Sequence, residues 1–127
     1  MAGQYHILVA EDEECWREDM FRDALEDEGY QVVTSSSYNE AIIALKRQIF
    51  NLVVIDVNLT GIPGNRDGLR VLEQMAALGH NSPYVIISGA EGAHEYSMKK
   101  FEPTAFIDKA TFEVTEFADI VRSALLP

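Results

Sequence analysis

Cysteine is nearly absent from this sequence, since Cys15 is the one thiol among 127 residues. A lone cysteine excludes an internal disulfide and favours a reducing compartment. No apolar run approaches the roughly 18 residues that a membrane-spanning helix needs. The first residues also lack the basic start and the long apolar stretch of a signal peptide. We therefore expect a cytoplasmic protein that makes no membrane contact.

Positive charge is also scarce, with 10 lysine and arginine residues against 21 acidic ones and a formal net charge of −11. Phosphate backbones and acidic membranes repel such a chain, so direct nucleic-acid binding is not expected. Ten of the acids lie between residues 11 and 28, and most of them are typical of a solvated helix face. With 47% apolar residues, we expect residues 1–127 to form a single globular domain.

Short apolar runs alternate with helical patterns along the chain. The clearest run is NLVVID, residues 51–56, which has no polar alternation and ends in Asp56. Such a run is typical of a strand buried on both faces of a parallel sheet. Five strand–helix units predict an α/β fold: a doubly wound, five-stranded parallel sheet in the flavodoxin-like strand order 2-1-3-4-5, with helices on both faces. The predicted strands are residues 6–10, 30–34, 51–55, 83–87 and 104–107.

Local signals mark the ends of two helices. Gly29 is placed to terminate the first helix, and Ser37 with Glu40 three residues later resembles a capping box for the second. We expect the second helix to direct Ile49 towards the core together with its earlier apolar residues. We expect Cys15 to be a small, partly buried residue of the first helix.

Polar side chains stand just beyond the carboxyl ends of four predicted strands. Glu11 and Asp12 follow the first strand, Asp56 the third, Ser88 the fourth and Lys109 the fifth. In the predicted order these strands are neighbours, so their ends share one edge of the sheet. Clustered carboxylates repel one another unless a cation neutralises them, and oxygen ligands at an open edge suit Mg²⁺. An ammonium and a hydroxyl nearby suit a phosphoryl group, which indicates phosphoryl transfer to a carboxylate.

These motifs resemble, over essentially the whole chain, the receiver domain of two-component response regulators. The matching stretches are ILVAEDE, NLVVID, VIISGA and TAFIDK, in that order. The resemblance implies a phosphoprotein of signal transduction or a phosphorelay, which takes its phosphoryl group from a histidine kinase or a phosphotransfer protein. It also implies a domain that is not an enzyme beyond catalysing its own phosphorylation and dephosphorylation.

The resemblance assigns roles to individual residues around the metal. Asp56 would be the phosphoacceptor and a Mg²⁺ ligand. Asp12 would bind Mg²⁺ directly, and Glu11 would act mainly through a bound water. The backbone carbonyl of Asn58 would complete the ligands that the protein provides.

The resemblance also implies how phosphorylation is read out. Ser88 would hydrogen-bond a phosphoryl oxygen, and Lys109 would pair with the phosphoryl group or, before phosphorylation, with Asp56. Phe106 would be the aromatic switch residue that follows Ser88. Its movement would alter the face made by the fourth helix, the fifth strand and the fifth helix, where a downstream protein partner, or a second copy in a homodimer, would bind.

The sequence departs from the family pattern at three places. The loop from Asp56 to Asp67 is about four residues longer than is usual in the family, with Thr60 where a proline usually stands. Ala110 replaces the usual proline after the lysine. Glu14 reads as an extra residue in the first loop.

Two alternatives remain open from the sequence. The motif DVNLT resembles the first motif of haloacid-dehalogenase-type phosphatases, which also form an aspartyl phosphate. Against it, Asn58 stands where those enzymes have a general acid, and the acidic pair precedes the nucleophile rather than following it. The second alternative is a receiver-like scaffold that never takes phosphate.

Overall fold

The computed structural model describes residues 5–126, so both ends of the predicted domain lie outside the described residues. Its centre is one parallel sheet of five strands in the order β2-β1-β3-β4-β5, which confirms the predicted topology. The observed boundaries differ from the predicted ones by a single residue in four of the five strands. The strands are β1 (His6–Ala10), β2 (Gln31–Ser35), β3 (Leu52–Asp56), β4 (Tyr84–Ser88) and β5 (Ala105–Asp108).

A helical segment follows every strand. None of these helices, among residues 5–126, is both long and apolar enough to cross a membrane. We call the first two helical segments together the first helix. The segments are a π-helix (Cys15–Arg22) that continues into α1 (Asp23–Asp27), then α2 (Tyr38–Arg47), α3 (Asp67–Ala77), α4 (Ala93–Lys100), a 3-10 turn (Lys109–Thr111) and α5 (Val114–Leu125).

The central strand β3 is buried along its whole length because helices cover both faces of the sheet. Val53 and Ile55 belong to a hydrophobic cluster with residues of α2 and α3. Leu52 and Val54 belong to a second cluster on the opposite face, with residues of the first helix and α5. Burial of each such side chain contributes about 1.5–3 kcal/mol. The strand lacks alternating polar residues because both of its faces are buried, as the sequence predicted.

The first helix is wound more widely than an α-helix at its start. The backbone N–H of Asp23 donates to the carbonyl of Glu18, five residues earlier. A π turn takes up one residue more than an α turn, so the helix itself can accommodate the extra residue that the sequence pattern placed at Glu14. Cys15, expected to be partly buried, is exposed, because it begins this helix on the solvent side.

Both predicted helix ends are present, but one core residue was wrongly predicted. Gly29 has a φ of 93°, the left-handed conformation that ends a helix. The Ser37 hydroxyl accepts the N–H of Glu40, whose carboxylate accepts from the preceding loop, as in a capping box. Ile49 is 76% exposed because α2 already ends at Arg47, before Ile49 could face the sheet.

The side chain of Asn58 makes several hydrogen bonds within the long loop after β3. The Asn58 side-chain oxygen accepts the backbone N–H groups of Thr60 and Gly61 at 2.9 and 3.0 Å. Its amide nitrogen donates to the carbonyl of Ile62 at 2.7 Å. The extra length therefore forms a compact turn beside the end of β3.

Candidate functional site

The sheet brings all five predicted strand-end side chains to one edge. Because β1, β3, β4 and β5 are neighbours, the ends of these strands lie side by side. Asp56 and Ser88 are the last residues of their strands, whereas Lys109 begins the 3-10 turn after β5. Together with Asp12, these three residues line one cavity of about 270 Å³. Glu11 is fully buried behind it.

Lys109 is the centre of the charged contacts. Its Nζ donates to Asp56 Oδ2 at 2.7 Å and lies 2.8 Å from Glu11 Oε1. Glu13, which the sequence did not suggest, approaches the same ammonium at 3.9 Å. The Asp56 carboxylate is held on its other oxygen as well, because Oδ1 accepts the backbone N–H of Asn58 at 3.1 Å. The position of the Asp56 carboxylate is therefore defined at both oxygens.

The burial of these charges changes their protonation. Burial, followed by the hydrogen bond and negative charge of Asp56, raises the pKa of Glu11 to about 9, although Lys109 acts in the opposite direction. Burial alone would lower the pKa of Lys109, but its contacts with Asp56 and Glu11 raise that pKa above its ordinary value. Without a cation, burial beside Asp56 thus favours the protonated form of Glu11, and the two carboxylates favour the charged form of Lys109.

The acidic cluster has the donor set of a divalent-cation site. Glu11, Asp12 and Asp56 each offer a carboxylate oxygen, and these oxygens lie within 4.8 Å of one another. Glu11 Oε1 is buried and has no well-aligned hydrogen-bond donor among the described residues, although the Lys109 ammonium lies 2.8 Å away. Oxygen-only ligands beside an open cavity match the chemistry of Mg²⁺. The residues present therefore fit a metal ion of this class.

Ser88 and Phe106 lie on the side of the site towards α4. Ser88 is buried, and its Oγ accepts the backbone N–H of Ala90 at 2.9 Å, so within residues 5–126 its own O–H has no acceptor. Phe106 is half-buried and packs edge-to-face on His94 of α4, with ring centroids 5.0 Å apart. His94, to which the sequence assigned no role, thus contacts the residue expected to be the switch.

Two further residues lie near the site, and the sequence assigned neither of them a role there. The Arg17 guanidinium donates to the backbone carbonyls of Glu11 and Asp12 at 3.1 and 3.2 Å. The indole of Trp16 lies 5.0 Å from the Lys109 ammonium. Both residues come from the π-helical segment, and the sequence offers no signal for a π turn. The cation–aromatic pair joins residues 93 positions apart, which a local pattern does not reveal.

Comparisons with known proteins agree with this geometry. The response regulator receiver domain family matches residues 7–121. AlgB of Pseudomonas aeruginosa, an alginate biosynthesis transcriptional regulatory protein, is 44% identical over 72 residues, or 57% of this chain. YkoG of Bacillus subtilis, an uncharacterized transcriptional regulatory protein, is 30% identical over 108 residues, 76% of this chain and 45% of its own length. The chain spans only 15% of the length of AlgB.

Solved structures share the fold along nearly the whole chain. The non-phosphorylated HemR receiver domain of Leptospira biflexa superimposes with a TM-score of 0.81 at 25% identity, covering 98% of this chain and 96% of that one. A CheY-like receiver domain of Methylobacillus flagellatus has a TM-score of 0.76 at 25% identity, covering 94% and 98%. With the family match over residues 7–121, these likenesses establish that the chain belongs to the response regulator receiver domain family of two-component signalling.

Proposed function

We propose that Asp56 accepts a phosphoryl group from the phosphohistidine of a histidine kinase or phosphotransfer protein. The observation that carries this proposal is the setting of its carboxylate. Asp56 lies in a cavity with Ser88 and Asp12 and contacts Lys109 at 2.7 Å. A carboxylate oxygen attacks phosphorus as the bond from phosphorus to the histidine nitrogen breaks, and the imidazole leaves with the bonding electrons. The product is an acyl phosphate on Asp56.

The surrounding side chains have distinct parts in this step. Lys109 holds Asp56 before transfer and pairs with a phosphoryl oxygen afterwards, since its ammonium has three donors. Ser88 donates its free O–H to another phosphoryl oxygen. The N–H of Asn58 keeps the non-attacking oxygen of Asp56 in place. These groups stabilise the negative charge that is spread over the phosphoryl oxygens in the transition state.

We propose that Mg²⁺ is held by Glu11, Asp12, Asp56 and the backbone carbonyl of Asn58. When bound, the ion neutralises charge between the acids and the phosphoryl group. Arg17 holds the backbone of the acidic pair in place, because its guanidinium donates to the carbonyls of both Glu11 and Asp12. This contact limits how far the pair can move apart when its charges repel.

The output is proposed to be a change in the surface formed by α4, β5 and α5. Movement of Ser88 towards the phosphoryl group would vacate space beside α4, which Phe106 could enter after parting from His94. A downstream protein, or a second copy of the phosphorylated chain in a homodimer, would bind this surface. The relatives named as transcriptional regulatory proteins suggest an output in transcription through such protein contacts, with no direct nucleic-acid contact by this acidic chain.

We further propose a cytoplasmic location and a single receiver domain over residues 1–127, which is not an enzyme beyond its own phosphorylation and dephosphorylation. The two rival functions find no support. Asn58 uses its side chain to order the loop and offers no acid for a haloacid-dehalogenase-type phosphatase. A scaffold that never takes phosphate would not need carboxylates, a hydroxyl and an ammonium around one cavity.

The direct test is labelling with acetyl phosphate in the presence of Mg²⁺. We expect an acid-stable, base-labile label on the wild-type chain, none on Asp56→Asn, and loss of the wild-type label when EDTA removes the metal. The control is Asp119→Asn on the exposed side of α5, which should be labelled normally. Label that persists on Asp56→Asn would place the acceptor elsewhere, and repeated turnover of a simple phosphomonoester would restore the phosphatase alternative.

A further inference from the structure

The Lys109 ammonium has an aromatic neighbour in addition to its acidic ones. Glu11 and Asp56 lie within 2.8 Å of it, and the Trp16 ring centroid lies 5.0 Å from it. Only 11% of the Lys109 side chain is exposed, so this attraction acts with little screening by water. Trp16 is therefore a direct partner of the ammonium as well as a packing residue.

The indole is itself held by an aromatic cluster that spans three elements. Trp16 packs edge-on against Phe112 at 5.2 Å and is tilted against Phe21 at 5.5 Å. Phe112 directly follows the 3-10 turn that begins with Lys109. It also contacts Phe117 of α5 at 5.5 Å. The cluster thus joins the start of the first helix to both the backbone and the side-chain end of Lys109.

The first helix fixes this indole relative to the acidic pair. Arg17, the next residue along the π-helical segment, donates to the carbonyls of Glu11 and Asp12. The helix start, the acids and the lysine are therefore connected through Trp16 and Arg17. A shift of Trp16 would change the distance between the ammonium and Asp56.

We propose that Trp16 is a positioning residue that aligns the Lys109 ammonium for phosphoryl transfer. This inference rests on the proposed function of Asp56. An aromatic face attracts a cation without carrying a net negative charge. It therefore holds the ammonium near the site but does not repel an incoming phosphoryl group, as a further carboxylate would. When the Lys109 ammonium moves from Asp56 to a phosphoryl oxygen, its attraction to the Trp16 ring limits how far it moves.

The rate of labelling by acetyl phosphate tests the proposal. Trp16→Leu keeps an apolar side chain but removes the π face, and we expect the initial rate to fall about three- to tenfold. Trp16→Phe restores a π face and should recover much of that loss. Folding of each variant is checked by circular dichroism and thermal unfolding. Wild-type rates in a folded Trp16→Leu would overturn the proposal, as would equal losses in the two variants.

A double-mutant cycle separates positioning from general support of the fold. Against a Lys109→Met background, Trp16→Leu should cause no further loss of labelling, because its effect requires the ammonium. A loss of the same size in both backgrounds would overturn the proposal.

The single tryptophan provides a readout that needs no phosphorylation. Lys109→Met should change the emission spectrum of Trp16, whereas Lys100→Met, which removes an ammonium paired with Glu73 on another part of the surface, should not. An unchanged spectrum in Lys109→Met would contradict the proposed contact. If the wild-type chain takes no label on Asp56, the proposed function fails. If Asp56 is labelled and Trp16→Leu keeps the wild-type rate, only the role of Trp16 fails.

Discussion

Gly68 packs directly against the backbone of Asp56. A Cβ added at Gly68 would lie 1.8 Å from the Asp56 carbonyl oxygen, far inside van der Waals contact. The N–H of Gly68 also donates to the carbonyl of Val57 at 2.8 Å. The start of α3 thus contacts the backbone of Asp56, which we propose as the phosphoacceptor. Any side chain at position 68 must displace either the start of α3 or the backbone of Asp56.

Gly68→Ala is therefore expected to lower the free energy of unfolding by about 1–3 kcal/mol, as overpacking of a close contact does. It should also slow labelling of Asp56, since the clash falls on its backbone. Urea unfolding measures the first effect. The control is Gly89→Ala, whose added Cβ would meet Lys109 only at 3.6 Å, an ordinary contact. Equal stabilities of the two variants would contradict the close packing at Gly68.

Mg²⁺ is expected to raise the melting temperature. It binds the folded acidic cluster and relieves the repulsion among its carboxylates, and at tenfold excess over its dissociation constant the gain is about 1.4 kcal/mol. Differential scanning calorimetry with and without millimolar Mg²⁺ measures this gain. Asp12→Ala should abolish the increase, while Asp119→Ala on the exposed side of α5 should keep it. The absence of any increase in the wild-type chain would count against the metal site.

The raised pKa of Glu11 predicts a pH dependence in the metal-free protein. Its folded-state pKa of about 9 lies above the ordinary value of 4.5, so between these two pH values the folded chain binds the proton more tightly than the unfolded chain. The contribution of Glu11 is fully present below about pH 4.5 and is lost as the pH rises towards 9. The slope is at most about 1.4 kcal/mol per pH unit.

Urea unfolding in EDTA between about pH 5.5 and 8.5 measures this slope within that window. Glu11→Gln cannot titrate, so the free energy of unfolding should fall more steeply with rising pH in the wild-type chain than in the variant. Parallel curves for the two proteins would show that Glu11 does not carry the extra proton. By the same linkage, Mg²⁺ should bind more tightly as the pH rises, because the ion must displace that proton.

The capping box of α2 predicts a stability effect remote from the site. Ser37→Ala removes the oxygen that accepts the Glu40 N–H at 3.2 Å and should cost about 1 kcal/mol. Ser123→Ala serves as control, because that serine lies at an exposed position within α5. Thermal unfolding compares the two variants, and labelling of Asp56 should be unaffected in both. A Ser37→Ala chain as stable as Ser123→Ala would show that this cap contributes nothing.

The local physics of the sequence accounts for most of the fold. Continuous apolar runs such as 52–55 predict strands covered on both faces, and the observed sheet has that arrangement. Prediction was wrong where an element's end depends on its surroundings. Ile49 continues the helical pattern of α2, yet the chain leaves the helix at Arg47 and exposes it. The cap at Ser37 was predictable because its partners lie within three residues.

The sequence by itself determined which functional groups reach the edge of the sheet, because each of Asp56, Ser88 and Lys109 directly ends or follows a strand and strand order makes them neighbours. Only the tertiary structure decided their distances and protonation. The pKa of Glu11 depends on burial and on Asp56, 45 positions away. The contact of Trp16 with Lys109 likewise depends on a π turn and on an aromatic cluster drawn from separate elements. Burial and contacts between residues distant in sequence arise only when the chain has folded.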